Sequence, residues 1–454
     1  EGRRRLHADN VQVRGMFSAL VAVKPGAVAW AQLTYFIMYP VNMKNTLRKN
    51  IFYLFLVQGS SYILPLITFP YLVRVLGVEH FGILGFCQAT IQYLILITDY
   101  GFNWTGTQEI AKNVDNKSKL TTIFWSIINA KLILFFICLL LLLIVALSVP
   151  KYNSIWFVLV CYLPMLIGNL IYPVWLYQGM EKMKWISICT ISARFLLIPL
   201  TFIFVKAPQD LWLAALFQGS VTLLAGFISC VVIFENKWIG QYQLSFKQIN
   251  NRFREGFQVF LSTSFISLYT VSITIILGFM SGAVSVGYFN AANTVRNAAQ
   301  GLLGPIFQAI FPRVNNLYEK EYEKAIDIIR KSIRIVGGLS FFGSVLLFTL
   351  ADIIIVVVAG NNYAESANIL RWLAFVPFLV SLSNIFGVQT MLAHSYKKEF
   401  SLILLLGAIT NMTVIFPLVY KYDALGAGIT IFITELVVTA SMFVFLKRKR
   451  INIF

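Results

Sequence analysis

Four polar side chains, Asn293, Arg296, Asn297 and Gln300, interrupt an otherwise apolar, helix-length run from Ser281 to Asn316. Spacings of three and four residues put them on one face of a helix. The run is long enough to cross a bilayer, and an arginine at its centre costs about 2.5–3.5 kcal/mol unless it faces protein or water. Such a face lines something wet, and a fixed cation among amides is equipment for holding a solute. The layout recurs earlier in the chain, where Gly77 and Gly82 align with Gly282 and Gly287, and Gln88 and Gln92 align with Asn293 and Asn297. The chain reads as two related halves, each offering one polar-faced helix to a shared cavity.

The elements that position these residues are membrane spans. With 58% hydrophobic and 12% charged residues and a mean hydropathy of +0.75, the chain falls far below the roughly 25% charge of a soluble domain. Its apolar runs are helix-length rather than alternating segments of about ten residues, which favours a helical bundle over a barrel. Twelve spans are expected, at 51–73, 81–101, 121–148, 154–177, 185–205, 211–234, 257–280, 285–311, 333–359, 367–392, 400–420 and 425–446. The longest interior loop, Glu235 to Gly256, suggests a division into a six-helix lobe at 43–240 and a second at 241–454. Residues 1–42 fit neither lobe. The alternative of a signal peptide ending near Ala27-Val28-Ala29 has only a minimal apolar core and no soluble domain after it. Met43, followed by Lys44, Arg48 and Lys49, is the expected natural start, and 1–42 a non-native or dispensable extension.

Charge supports this topology. With the Met43 end inside, the external loops hold only Arg74, Lys151, Lys206, Arg371 and Lys421, and the cytoplasmic segments hold most of the other cations. The net charge of +18 is thus a topology signal rather than a nucleic-acid surface, since the cations are dispersed and no recognition motif accompanies them. The terminal Lys447 to Arg450 run reads as a stop-transfer anchor.

At a rise of about 1.5 Å per residue, Lys131, Arg194, Arg296 and Glu435 lie roughly 13–17 Å from the ends of their spans, near the midplane. Left in lipid, they would together cost on the order of 10 kcal/mol. Arg296 therefore lines a cavity or is structurally paired. Lys131 and Arg194 are open to either role, and Glu435 is a salt-bridge partner for them or a titratable group. Asp99, on the Gln88 and Gln92 face, either bonds Thr105 and its neighbours or gates the inner mouth. Trp104, Trp125, Trp156, Trp185, Trp212 and Trp238 fall near interfaces, as an aromatic belt would. Tyr288 is a candidate sugar-stacking ring. The five cysteines lie in apolar runs without metal or disulfide spacing and read as small hydrophobes.

The stretch MKNTLRKNIFYLFLVQGSSYILPLITFPYLVRVLGVEHFGILGFCQA, then DYGFNWTGTQEIAKN, WLYQGMEKMK and GYFNAANTVRN, taken in order, resemble the Wzx-type O-antigen and polysaccharide flippases. These form the polysaccharide-transport branch of the multidrug/oligosaccharidyl-lipid/polysaccharide exporter superfamily. The resemblance spans 43–454 and implies an all-α membrane protein with two pseudo-symmetric six-helix lobes in a MATE-like fold. It also implies a non-enzymatic flippase of the bacterial inner membrane with both ends cytoplasmic. Such a flippase moves an undecaprenyl-diphosphate-linked oligosaccharide to the periplasmic face by alternating access. It needs no cofactor, and O-antigen polymerase and a chain-length regulator are implied partners.

A lipid-linked oligosaccharide demands cations at mid-depth for its diphosphate and amides or aromatics for its sugar. Substrate binding is accordingly expected of Arg296, Asn293, Asn297, Gln300, Gln88, Gln92, Arg194 and Lys131, and ion coupling or gating of Glu435 and Asp99. No GxxxxGK[ST] loop is present, so a proton or sodium gradient, or removal of product by downstream assembly, drives transport. The rival, a drug or cation antiporter of the same fold, would be expected to carry an acidic residue deep in its first span, whereas spans one and seven here contain no Asp or Glu, and the positive interior favours an anionic cargo. A polymerase or ligase would need a large external loop that the chain does not have.

Overall fold

A backbone confined to hydrocarbon must satisfy its own hydrogen bonds, and the chain does so with helices alone among the described residues. The computed structural model describes residues 44–451, apart from residue 395 and parts of 305–320; side chains are described from Ile67 onward, except at positions scattered through 262–320 and 395–397. The extension 1–42 lies outside the described residues.

Spans one and two form a single helix, α1 (Lys44–Asp99), bent at Gly77. α2 (Phe102–Lys112) is short, and α3 (Lys117–Ser148) is a long apolar helix. The fourth span is broken into α4 (Trp156–Ile171) and α5 (Val174–Gly179). Pro173 occupies the break, as a residue without an N–H should. α6 (Met183–Phe204) and α7 (Leu211–Glu235) follow. Span seven is split into α8 (Phe246–Thr270) and α9 (Ser272–Ser281), and α10 (Ala283–Gly301) carries the polar face. The ninth span comprises α11 (Tyr322–Ser332), a π-helical turn at Ile333–Gly337, α12 (Gly338–Thr349) and α13 (Ala351–Ala359). The tenth comprises α14 (Glu365–Leu373), α15 (Val376–Ser383) and a second π-helical stretch, Asn384–Met391. Spans eleven and twelve form α16 (Lys397–Arg448), which turns at Asp423.

The expected half-repeat is visible in the backbone. Gly77 has φ 70° and ψ 176°, and Gly282 has φ 91° and ψ −179°. That region is open essentially to glycine alone. A Cβ at either position would meet nothing within 4 Å, so conformation rather than crowding demands the glycine. The reverse holds at Gly168, where a Cβ would stand 2.4 Å from the backbone of Thr222 and Leu223. There the missing side chain lets α4 and α7 approach closely, which is how helices gain packing energy in lipid.

Large apolar side chains face outward at high exposure, among them Phe136, Leu147, Phe195, Phe342 and Leu402. Among the described residues, eight helical segments are long and apolar enough to cross a membrane, and Lys117–Ser148 reaches a mean hydropathy of 3.1. The chain is a multi-pass membrane protein.

Two compact units, 41–264 and 265–454, divide the chain. The division falls inside α8 rather than at residue 240, because the first part of α8 is fastened to the first unit. Tyr100 stacks on Phe260 at 4.7 Å, and Val259 packs against Gly101.

Candidate functional site

Helix α10 begins directly after the Gly282 turn, so its register is set before the polar face starts. One turn separates Asn293 from Arg296, and another separates Arg296 from Gln300, which lets the long arginine reach both. Arg296 Nε donates to Asn293 Oδ1 at 3.2 Å and Nη2 donates to the same oxygen, while Nη1 donates to Gln300 Oε1 at 3.0 Å. A guanidinium has five N–H donors, more than these three bonds use. Asn297 was expected to share this work; it is exposed and takes no part in these bonds.

The counter-charge comes from α16. Glu435 is buried, 5% exposed, and interacts electrostatically with Arg296. Around it Asn411 Nδ2 donates to Thr434 Oγ1 at 3.0 Å, and Thr434 donates to Thr430 O at 2.8 Å. Sequence reasoning offered Glu435 to Lys131 or Arg194; the structure gives it Arg296 instead. The second unit thus contains a half-buried arginine steadied by two neutral amides and balanced by one carboxylate.

Lys131 has a different setting. It is 1% exposed, and its Nζ lies 2.7 Å from Asp99 Oδ1 and 3.4 Å from Asn169 O. Asn169 Nδ2 donates to Asp99 Oδ1 at 3.1 Å. The expectation that Asp99 bonds Thr105 is corrected, since the Thr105 hydroxyl donates to Gly101 O at 3.4 Å. An ion pair this enclosed is internally satisfied, which argues against the expected cargo contact at Lys131. Arg194 is half-buried beside Tyr172, with which it interacts electrostatically. The Tyr172 hydroxyl donates to Ile186 O at 3.1 Å and lies 3.0 Å from Thr190 Oγ1. Gln88 is half-buried and Gln92 exposed, the same pattern as Asn293 and Asn297, their partners in the repeat. The offset that superposes Gly77 on Gly282 puts Ile91, fully buried, opposite Arg296, and Ile95 opposite Gln300. The charged site belongs to one half only.

Two aromatic expectations change. Trp104 is 4% exposed and belongs to the core rather than an interfacial belt, unlike Trp156 at 55%. Tyr288 meets Tyr363 edge to face at 6.2 Å, so part of its ring surface is already used.

Sequence reasoning missed a buried cluster at the start of α8. Arg252, 4% exposed, pairs with Glu109 and with Glu255, the latter at 3.0 Å, and its Nε donates to Ser126 Oγ at 3.1 Å. The Arg252–Glu255 spacing was a usable helix signal, but counting Arg252 as a loop charge concealed it. Among the described residues no group of His, Cys, Asp or Glu could hold a metal ion.

The helical architecture has counterparts among solved structures. An inward-facing multidrug resistance MATE family transporter of the MOP superfamily matches with a TM-score of 0.61 at 14% identity, over 88% of this chain and 98% of its own. The lipid II flippase MurJ, in an inward closed conformation, matches with a TM-score of 0.60 at 15% identity, over 87% of both chains. The fold is therefore MATE-like. Residues 47–317 match the polysaccharide biosynthesis protein family, and the chain belongs to that family. It is 47% identical over 408 residues to a "Putative O-antigen transporter" of Escherichia coli (strain K12), covering 90% of this chain and 98% of the relative. A "Putative O-antigen transporter" of Shigella dysenteriae is 35% identical, over 87% and 99% respectively.

Proposed function

We propose that this chain is an O-antigen flippase: it carries an undecaprenyl-diphosphate-linked oligosaccharide from the cytoplasmic to the periplasmic face of the inner membrane, with Arg296 binding the diphosphate. The observation that carries the assignment is the setting of Arg296. Its planar fork matches phosphate oxygens, and charge-assisted bonds strengthen where water is scarce. Asn293 and Gln300 hold the fork through neutral oxygens, so an arriving anion meets a cation that is oriented and, among the described residues, not held in a direct ion pair. Glu435 balances the charge between cargoes and is the candidate group for coupling to protons or sodium. The O-antigen transporter relatives support the cargo class.

Export of surface polysaccharide, normalised to membrane-inserted protein, tests the assignment. Arg296→Ala and Arg296→Glu are expected to abolish it, Arg296→Lys to retain part, and Asn293→Ala to weaken it less. Normal export by a well-inserted Arg296→Ala would refute the role. The charge asymmetry of the loops supports a cytoplasmic location for both ends of the 43–454 chain. Reporter fusions after Phe454 should register as cytoplasmic, and a periplasmic signal would overturn that orientation.

A further inference from the structure

Helix α3 outlasts the membrane. Its 32 residues rise about 48 Å, against a hydrocarbon core about 30 Å thick. Counted from Ser148, that core ends about 20 residues along, near Asn129. The exposed surface of α3 changes at the same level. From Leu132 to Leu147 it presents apolar side chains, Phe136 at 61% among them, whereas Lys117, Ser118 and Lys119 are the exposed residues of its first turn.

Beyond α7 the chain returns along this helix. Gly240 N donates to Thr121 Oγ1 at 2.9 Å, Trp125 Nε1 donates to Gly240 O at 3.2 Å, and Asn129 Nδ2 donates to Gln243 O at 3.2 Å. Thr121, Trp125 and Asn129 are four residues apart and form one row on α3. Residues 240–243 therefore climb that row from outside the core to its edge. At the top the Tyr242 hydroxyl donates to Asn129 Oδ1 at 3.1 Å, and its ring meets Trp125 edge to face at 5.0 Å. The segment is not helical until Phe246 opens α8, and in an extended chain Tyr242, Leu244 and Phe246 share one side. All three are exposed, Phe246 at 75%.

We propose that residues 240–246 form a strap that seats Tyr242, Leu244 and Phe246 in the headgroup layer of the nearer leaflet and selects anionic phospholipid there. The proposed topology makes that leaflet the cytoplasmic one; the strap is otherwise independent of the cargo assigned above. At the edge of the core, exposed apolar side chains meet glycerol and acyl chains rather than water, and aromatic rings favour that level. Charge selects the lipid, since exposed Lys119, Lys237 and Lys247 surround the strap, with Glu235 as the carboxylate among them. A protein partner pairing as an added strand is disfavoured, because Gly240 and Gln243 spend backbone groups on α3. The boundary between the two units falls inside α8, so the strap ties the start of that connecting helix to the membrane surface.

Spin labels test the strap. Single added cysteines at Leu244, Phe246, Phe136 and Asn236 are labelled with a nitroxide in the full chain, whose own cysteines are buried or half-buried, with the unsubstituted chain as background. In phosphatidylglycerol nanodiscs, labels at Leu244 and Phe246 are expected to collide with oxygen, which concentrates in hydrocarbon, as the label at lipid-facing Phe136 does. The label at exposed Asn236 should instead favour a water-soluble nickel chelate. In phosphatidylcholine the labels at Leu244 and Phe246 should shift toward the Asn236 value. When phosphatidylglycerol is titrated back in, the mole fraction giving half the shift should rise about fivefold for each of Lys119→Gln, Lys237→Gln and Lys247→Gln. Labels at Leu244 and Phe246 that favour nickel in both lipids would overturn the strap, and labels shielded from both reagents would overturn it in favour of packing against protein. Equal depth in both lipids, or a midpoint indifferent to all three lysines, would overturn the selection of anionic phospholipid.

Discussion

Replacing Lys131 separates a structural charge from a cargo-binding one. Lys131 and Asp99 stand 2.7 Å apart, a distance at which two unit charges attract by about 6 kcal/mol at an effective dielectric constant of about 20. Desolvating the ammonium, 1% exposed, offsets much of that, so the intact pair adds little net stability. Breaking it is another matter, because a lone buried charge costs about 3–5 kcal/mol. Asp99 is 23% exposed and keeps its bond from Asn169, which puts Lys131→Met near the lower end, about 3 kcal/mol. The double variant Lys131→Met/Asp99→Asn should recover most of the loss, since no charge is then stranded. Melting of the purified protein in nanodiscs reads stability, and export per inserted molecule reads function. The expected result is a destabilised single variant with normal export per molecule and a restored double variant. A Lys131→Met protein that melts like the wild type yet fails to export would refute this reasoning and return Lys131 to the cargo path.

Gly77→Ala and Gly282→Ala should each destabilise the protein by about 1–3 kcal/mol from backbone strain alone, since a Cβ at either position meets no neighbour; equal melting of either variant and the wild type would show that the turn relaxes freely. His394 lies outside the spans, with Nδ1 2.8 Å from Thr390 O and the rings of Tyr318, Tyr322 and Tyr396 around it. Burial lowers its pKa below the usual 6.5. Both states are neutral above that value, and as pH falls through it the unfolded chain takes up the proton first, so stability drops. Melting compared at about pH 7.5 and about pH 5.5 should therefore fall more in the wild type than in His394→Gln, and an identical fall in both would remove the histidine from the account.

How much was legible in the sequence depends on the range of the interaction. The correspondence of Gly77 with Gly282 was readable from the aligned halves, whereas the positive φ at each is a finding of the structure. The bonding of Arg296 to Asn293 and Gln300 was readable because helical spacing settles which side chains can meet. What escaped were contacts between spans distant in sequence. Nothing in the chain order announces that Asp99 meets Lys131, or that α8 fastens itself to α2 and α3 through Arg252. The two π turns were hidden as well, since an extra residue per turn leaves no compositional mark in an apolar run. Asn297 shows a subtler failure: it shares the polar face, but an arginine has one guanidinium, and that group takes Asn293 and Gln300.

The two halves share their turn geometry yet differ in how they treat a buried cation. In the first unit Lys131 is bonded directly to a carboxylate and almost wholly enclosed. An anion entering there would have to displace Asp99 and strand it. In the second unit Arg296 donates its hydrogen bonds to neutral amide oxygens, which give up a donor far more cheaply than a carboxylate does, and its electrostatic partner Glu435 stands on another helix. The repeat leaves Ile91 at the position equivalent to Arg296, so the two halves share a turn geometry but not the charge at that position. On the function proposed here, an anionic cargo would rest at Arg296 rather than at Lys131, and its affinity would depend on how completely Glu435 is relieved of its role when the anion arrives.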